Sequence, residues 1–557
     1  MFQLPARMAL LAAAPLALAV RVLVPAAAAQ TPTWPGTGEQ ASKVLDVDDA
    51  EPDVVPVPAT PKTGLEFLGI LDLKPTVSNI TTGSAYANGQ LVGTLGGTNS
   101  TTVQAPDEVP GFAVEQRVGA FFKYTPKLLD GRATLGAAFE IDFAWGDSAY
   151  GTGGNTGGGL GADQVNLQTR RLYGKFRLWG KPGSSPGTAR GHSRADLVAG
   201  LQFVGDGVYD PDSARLDDLT RSGGRLLFFG TEAAGLTLFG VQNDVLRYRA
   251  GAYTLYEDVL SDPDDVTLWM GDAEWRPAPA VRLGAHAWYL RDRAGGTAGP
   301  INSSGPASSL SELQGGPRLD LRSDTSDEST EQAPETSAAL AWIGADAAYN
   351  PGLDAGRFGA SGSLFLNTGR VYVIEKVDVP VLGVLFDGEA RIRWTRGAGS
   401  VLRVEGLYAS GDPAGDTGHG NGETYGGVVT ANSYGVAASS WTTHGCLLLF
   451  PDPSSINRQV AVVYDPSNSG AGLVGFSGSA GFDVVPNRLT VTAGGGYAQP
   501  AVTRDGASGM HGSEANVHLS SHPFPLSTLS IAGAIVMDSG FDRNPWVVTS
   551  SFQWIVL

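Results

Sequence analysis

The sequence predicts an all-β protein, a transmembrane antiparallel β-barrel of about 18 strands (range 16–20) with long loops at one end. Three observations carry this expectation. Short segments of alternating apolar and polar residues recur from about residue 64 to the C-terminus. Several carry both charge signs on the polar side while the other side stays apolar. Connections between them alternate between short and long. A period of two marks a strand with unlike faces. In a soluble protein the apolar face would pack on a second layer. In a membrane barrel it faces lipid, and the polar face lines a wet lumen.

The N-terminus favours the second case. Residues 1–29 carry Arg7, an apolar run and a small-residue end at Ala27–Ala29, which reads as a secretory signal cut before Gln30. Arg21 interrupts the run, which falls short of the ~20 residues of a spanning helix. Residues 30–62 are rich in Pro and acidic side chains and lack periodicity, so they read as a disordered periplasmic linker. Its cluster Asp46, Asp48, Asp49, Glu51 and Asp53 reads as a solvated tail rather than a cation site. Residues 63–557 are the barrel domain. Cys446 is the one cysteine of the chain, so no intrachain disulfide supports the fold.

The strands follow in order. "LEFLGILDL" begins near Leu65. "VEQRVGAFFKY" sets Val114, Val118, Ala120, Phe122 and Tyr124 against Glu115, Arg117 and Lys123. "ATLGAAFEIDFAW" sets Leu135, Phe139, Ile141 and Trp145 against Glu140 and Asp142. "RLYGKFRLW" sets Leu172, Phe176 and Leu178 against Arg171, Lys175 and Arg177. "FDGEARIRW" sets Phe386, Ile392 and Trp394 against Asp387, Glu389, Arg391 and Arg393. On this alternation an Arg at Phe139 should be destabilising, whereas an Arg at Glu140 should be tolerated.

Short connections are expected at 125–131, 276–280, 350–356, 396–400, 484–488 and 521–525, and long ones at 78–112, 146–163, 292–337 and 412–471. Short periplasmic turns with longer outer loops are the barrel pattern. Counting strands gives nineteen, an odd number that a barrel with both ends on one side does not allow. The crowded stretch 225–256 must therefore merge two runs into one. Trp145, Trp179, Trp275, Trp394 and Trp554 fall at or near strand ends, where an interface holds the ring buried and the N–H wet. The chain ends on an amphipathic strand with Trp546, Val548, Phe552, Trp554 and Val556 on one face, a partial match to the terminal strand that barrel assembly machinery reads.

"VNLQTRRLYGKFRL" (165–178), "LVAGLQFVGDGVYDP" (197–211) and "EGLYASGDPAGD" (405–416) resemble stretches of the alginate-export family of outer-membrane barrels. The resemblance implies an 18-stranded pore for a solute or polymer in the outer membrane of a Gram-negative bacterium. It does not name the cargo.

Sorted by strand parity, the expected lumen carries the basic residues Arg117, Lys123, Arg171, Lys175, Arg177, Arg247, Arg249, Arg282, Arg391, Arg393 and Arg403. It carries the acids Glu115, Glu140, Asp142, Asp272, Glu274, Asp346, Asp387, Glu389 and Glu405. This slight basic excess, in a chain of formal net charge −18, suggests a preference for anions. The competing expectation is that the charges pair across strands and stiffen the wall. The expected partners are outer-membrane lipid, a polar or anionic solute or polysaccharide, the barrel assembly machinery and periplasmic export proteins. No nucleic acid and no cofactor are expected. Neither a nucleophile elbow, a Walker loop nor a metal spacing around His511, His518 and His522 is present, so an enzyme is not expected. "GDGVYDPD" (205–212) holds acids without the EF-hand spacing of a Ca²⁺ loop. A surface adhesin with binding loops is the alternative reading, and an outer-membrane hydrolase a more distant third.

Overall fold

In a computed structural model of the chain, eighteen antiparallel strands close into one barrel, and two further three-residue strands pair with each other. The structure describes residues 64–79, 90–92, 110–145, 166–180, 193–208, 230–256, 265–293, 336–373, 377–395, 397–413, 422–429, 441, 443–450, 459–463, 466–468, 470–486, 488–502, 512–524, 526–538 and 543–556. The expected signal and linker, the Gly-rich stretch 151–161, His511 and nearly all of the acidic loop 292–337 lie outside the described residues.

The strands are β1 (Gly64–Ser78), β2 (Gln90–Val92), β3 (Gly111–Thr125), β4 (Ala133–Ala144), β5 (Asn166–Trp179), β6 (Arg194–Gly205) and β7 (Gly230–Gln242). Next come β8 (Leu246–Tyr256), β9 (Val266–Ala278), β10 (Val281–Asp292), β11 (Thr336–Tyr349), β12 (Phe358–Val373), β13 (Val377–Arg393) and β14 (Val401–Ala409). The chain finishes with β15 (Gln459–Ala461), β16 (Leu473–Val485), β17 (Leu489–Gln499), β18 (Gly512–Ser521), β19 (Ser527–Met537) and β20 (Trp546–Val556). Leaving aside β2 and β15, each strand pairs with its neighbour in sequence. β20 closes the barrel on β1, from Gly69 opposite Val556 to Ser78 opposite Val547. Closure removes the unpaired edges an open sheet would present.

The crowded stretch resolves as the parity argument requires: β7 and β8 are two strands joined by a turn at Asn243–Val245, where Asn243 and Asp244 take positive φ. The expected turn at 276–280 is tighter, since β9 and β10 run on to leave two residues between them. Both ends of the described chain lie at the short-turn end.

The faces are those of a membrane barrel. β10 alternates with particular clarity: Leu283 and Tyr289 are exposed outward, while His286, Trp288, Leu290 and Asp292 are buried inward. Leu135, Leu172, Phe176, Leu364, Phe386, Ile392 and Val517 are likewise exposed on the outer surface. All five tryptophans expected near strand ends are 44–54% exposed, which fits an interfacial girdle flanking an apolar band. An exterior this apolar is stable against lipid hydrocarbon and would aggregate in water.

Among the described residues, part of the interior is filled. On the long-loop half of β9–β14 the inward side chains are mostly apolar: Leu268, Met270, Trp288, Leu290, Trp342, Phe365, Val381, Leu385 and Leu407 are at most 3% exposed. They pack against Tyr425, Val428, Val429, Trp441, Cys446, Leu448, Leu449, Phe450, Val462 and Val463, which belong to the connection between β14 and β16. That connection turns back into the barrel. Most charged inward residues of the same strands sit on the short-turn half, below this core, and buried Asp292 stands at the long-loop end of β10.

Candidate functional site: a charged lumen narrowed by an inward segment

Cross-strand registers decide which charges meet. Arg177 on β5 lies directly opposite Asp196 on β6, with Nε 2.8 Å from Oδ1. Arg249 faces Asp272, and Arg247 faces Glu274, on β8 and β9. Asp272 also accepts from His286 Nδ1 at 2.7 Å and from Trp288 Nε1 at 2.8 Å, while His286 Nε2 reaches Asp346 at 2.7 Å. Arg282 stands 3.8 Å from Asp346 and 4.0 Å from Glu274. Glu140 on β4 takes Arg117 at 2.9 Å and Arg170 at 3.3 Å. Lys123 lies 3.8 Å from Glu66. Pairing across neighbours is thus the ordinary state of this wall, the outcome expected if charges stiffen it.

A second group departs from that rule. On β13 and β14, Glu389 lies opposite Glu405, and Arg391 opposite Arg403. Like charges facing each other disfavour the ladder, and the pairing runs along the strand instead: Arg391 Nε is 3.0 Å from Glu389 Oε1. Glu405 takes its partner from the inward segment, with His444 Nδ1 at 2.6 Å. Glu389, Glu405 and His444 bring their ligand atoms within 4.8 Å of one another, the kind of set that holds a metal. The guanidinium of Arg391 already supplies the positive charge there, so the residues present fit an ion-pair network better than a metal. Arg393 donates to the Leu353 carbonyl at 3.3 Å, in the turn below.

Arg171 and Lys175 fall on the inner wall in a separate place, whereas the side chain of Asp142 lies outside the described residues. Arg171 is buried with its guanidinium 5.3 Å from the Phe203 ring centre, and Lys175, four residues on and on the same face, is buried too. Asp142 pairs in register with Arg117. Period-two counting missed Arg170, because a bulge opposite Ala138 and Phe139 inserts a residue into β5 and turns both Arg170 and Arg171 inward. It also passed over Asp72 and Lys74 on β1, Arg194 and Asp196 on β6, Asp292, Asp483 and Glu514, all buried. Among the described residues, three further bases against five further acids offset the expected basic margin of two.

The inward segment is fastened at several points. Trp342 Nε1 donates to Val429 O at 3.0 Å, and Asn367 Oδ1 accepts from Val429 N at 2.9 Å. Tyr425 pairs with Val381 as an added strand residue. Val462 N and Val463 N donate to Leu448 O and Leu449 O. β15 pairs in parallel with β2, which ties this connection to the one between β1 and β3. The tip at His444–Gly445 reaches Glu405, the middle residue of β14. Trp441 and Phe450 stack edge to face at 4.6 Å between ring centres. Each fully buried Leu or Phe contributes roughly 1.5–3 kcal/mol, so the packed segment is a stable part of the barrel.

The fold and this interior define a class: a closed transmembrane-type β-barrel with a charged inner wall and an inward-folded connection. No family model matches the chain, and no curated protein matches it. Among solved structures it is similar to Pseudomonas aeruginosa OccK9 (OpdG), at 14% identity over 88% of this chain and 98% of that one, TM-score 0.45. It is similar to Acinetobacter baumannii OccAB4, at 10% identity over 89% and 100%, TM-score 0.44. The outer membrane protein opdK from Pseudomonas aeruginosa gives 13% identity over 88% and 98%, TM-score 0.43. Cargo does not follow from likeness at this level.

Proposed function

We propose that the protein is an outer-membrane channel for small polar solutes. The observation that carries this reading is the inversion of the barrel: exposed Leu, Phe and Trp outside, and an inner wall of Arg, Lys, Asp and Glu inside. A barrel that served only as a support has no need of more than a dozen buried charges, each costly to desolvate. Paired along a lumen, they form a polar path that ions and hydrogen-bonding solutes cross at low cost. The balance of signs favours weak selectivity over a strong preference for anions. The pore-lining roles of Arg117, Lys123, Glu140, Asp142, Arg171, Lys175, Arg177, Arg282, Glu389, Arg391, Arg393, Arg403 and Glu405 belong to this proposal.

Export of an anionic polysaccharide, as the alginate-export resemblance suggests, is the finer alternative. The inward residues Tyr425–Val429, Trp441, Cys446–Phe450 and Val462–Val463 occupy width that a polymer chain would need, which favours small solutes. Insertion of refolded protein into a planar bilayer tests the reading. Stepwise conductance with a reversal potential near zero in a salt gradient is expected. Absence of conductance from well-folded protein would favour an adhesin-like barrel.

A further inference from the structure

We infer that Glu514 fixes the bore of the lumen by holding residues 445–450 across it; this rests on the channel reading. Glu514 is an inward residue near the long-loop end of β18 and is 5% exposed. Its carboxylate accepts three successive main-chain N–H groups: Leu447 at 2.7 Å, Leu448 at 2.9 Å and Leu449 at 2.5 Å. Asn516, next on the same face, donates to Gly445 O at 2.6 Å and to Glu514 Oε1 at 2.6 Å.

Successive N–H groups turned to one side make a concavity that attracts an anion. In this protein the anion is built into the wall. The segment 445–450 is irregular backbone in a buried place, and its donors need partners there. Glu514 meets that need for three of them with one side chain, while the ladders of β18 to β17 and β19 are complete without it.

The wall opposite the segment is shaped to receive it. A Cβ at Gly496 would stand 2.3 Å from Cys446 Sγ, and one at Gly475 would stand 2.7 Å from a Trp441 ring carbon and 3.0 Å from Phe450. The carboxylate is not needed by the barrel's ladders, and a side chain at Gly475 would meet Trp441 and Phe450 first, whereas one at Gly496 would also stand 2.8 Å from the Phe476 carbonyl of β16. The carboxylate and Gly475 are explained if strands β16–β18 form the berth of a constricting segment.

Cys446 reports on that berth, since it is 1% exposed and lies against Gly496. The test uses full-length protein refolded with heat-modifiability as the check of folding. Single-channel conductance and labelling of Cys446 by a water-soluble maleimide are measured for the wild type, Glu514→Ala and Gly475→Val, the last because a side chain there meets Trp441 and Phe450 rather than the barrel. Both variants are expected to conduct several-fold more than the wild type and to label at Cys446. An unlabelled Cys446 with unchanged conductance in Glu514→Ala overturns the anchoring role. A labelled Cys446 with unchanged conductance overturns the link between segment and bore. Labelling of the variants with no conductance from any of the three proteins overturns that link too, and separates the loss of the channel reading from the anchoring, which the label still establishes. If Glu514→Ala does not refold, Glu514→Gln is read by the same outcomes, and Gly475→Val tests the bore with the carboxylate intact.

Discussion

Arg249 and Asp272 face each other across β8 and β9, and Nε and Nη2 of the guanidinium reach one carboxylate oxygen at 2.8 and 2.5 Å. The other oxygen accepts from His286 and Trp288, so Asp272 joins a cation, an imidazole and an indole on three adjacent strands. Removing one partner of a buried ion pair leaves the other charge uncompensated, at about 3–5 kcal/mol. Asp272→Ala is therefore expected to lower the temperature at which the barrel unfolds on gels. Arg249→Met with Asp272→Leu together should restore much of the loss, because an apolar pair of similar volume has no charge to compensate. A double variant as unstable as Asp272→Ala would show that His286 and Trp288, rather than Arg249, depend on the carboxylate.

Phe139 and Glu140 are neighbours on opposite faces of β4. Phe139 stacks edge-on to Phe122 at 6.2 Å on the outer surface, and Glu140 is 1% exposed inside. An Arg at Phe139 is expected to cost roughly 2–4 kcal/mol if it lies at mid-bilayer. The sequence alone suggested that Arg at Glu140 would fold normally, and the structure corrects this. Glu140 is the shared partner of Arg117 and Arg170, so Glu140→Arg would crowd three guanidinium groups in one buried place. Both substitutions should impair refolding from urea into detergent, whereas Glu140→Gln should be milder. Normal refolding of Glu140→Arg would mean that water reaches this part of the wall.

The alternation of β3, β4, β5 and β13 was legible because a strand has a fixed period and unlike solvents on its two sides. The strand count followed from parity once β7 and β8 were treated as two runs rather than three. Arg170 was not legible, since a bulge breaks the period it would be counted by. The inward segment escaped for a different reason. Where a long connection packs is a tertiary property, and its Gly, Ser and Asn content reads as a solvated loop. Two signals were present in the sequence: the apolar run Cys446–Phe450 within the loop, and the small-residue run Gly494–Gly496 in β17, where Gly496 lies against Cys446.

Cys446 gives a prediction from the same segment. Burial pushes its thiol well above the ordinary value, and the nearby Glu514 carboxylate adds to this. The thiolate is the reactive form, so raising the pKa lowers its share at any given pH. Native protein at pH 8 should therefore react with maleimide far more slowly than protein unfolded in urea, and a rise to pH 9 should do little to close the gap. Equal rates in the native and unfolded states would place the thiol in water and the segment outside the lumen.

Selectivity follows from Arg391. Its guanidinium is paired to Glu389, while Glu405, opposite Glu389, takes His444. Arg391→Gln removes the cation and leaves two carboxylates on neighbouring strands with one imidazole between them. The reversal potential in a potassium chloride gradient should then move toward cation preference. Each charge acts over about 10 Å at 0.1 M salt and about 3 Å at 1 M, so the shift should be clear at low salt and small at high salt. Glu389→Gln should move the potential the opposite way, and the double variant should return near the wild type, because the pair is close to neutral as a unit. A potential that ignores Arg391→Gln at low salt would place the controlling charges elsewhere, on the wall of Arg171, Lys175 and Arg177.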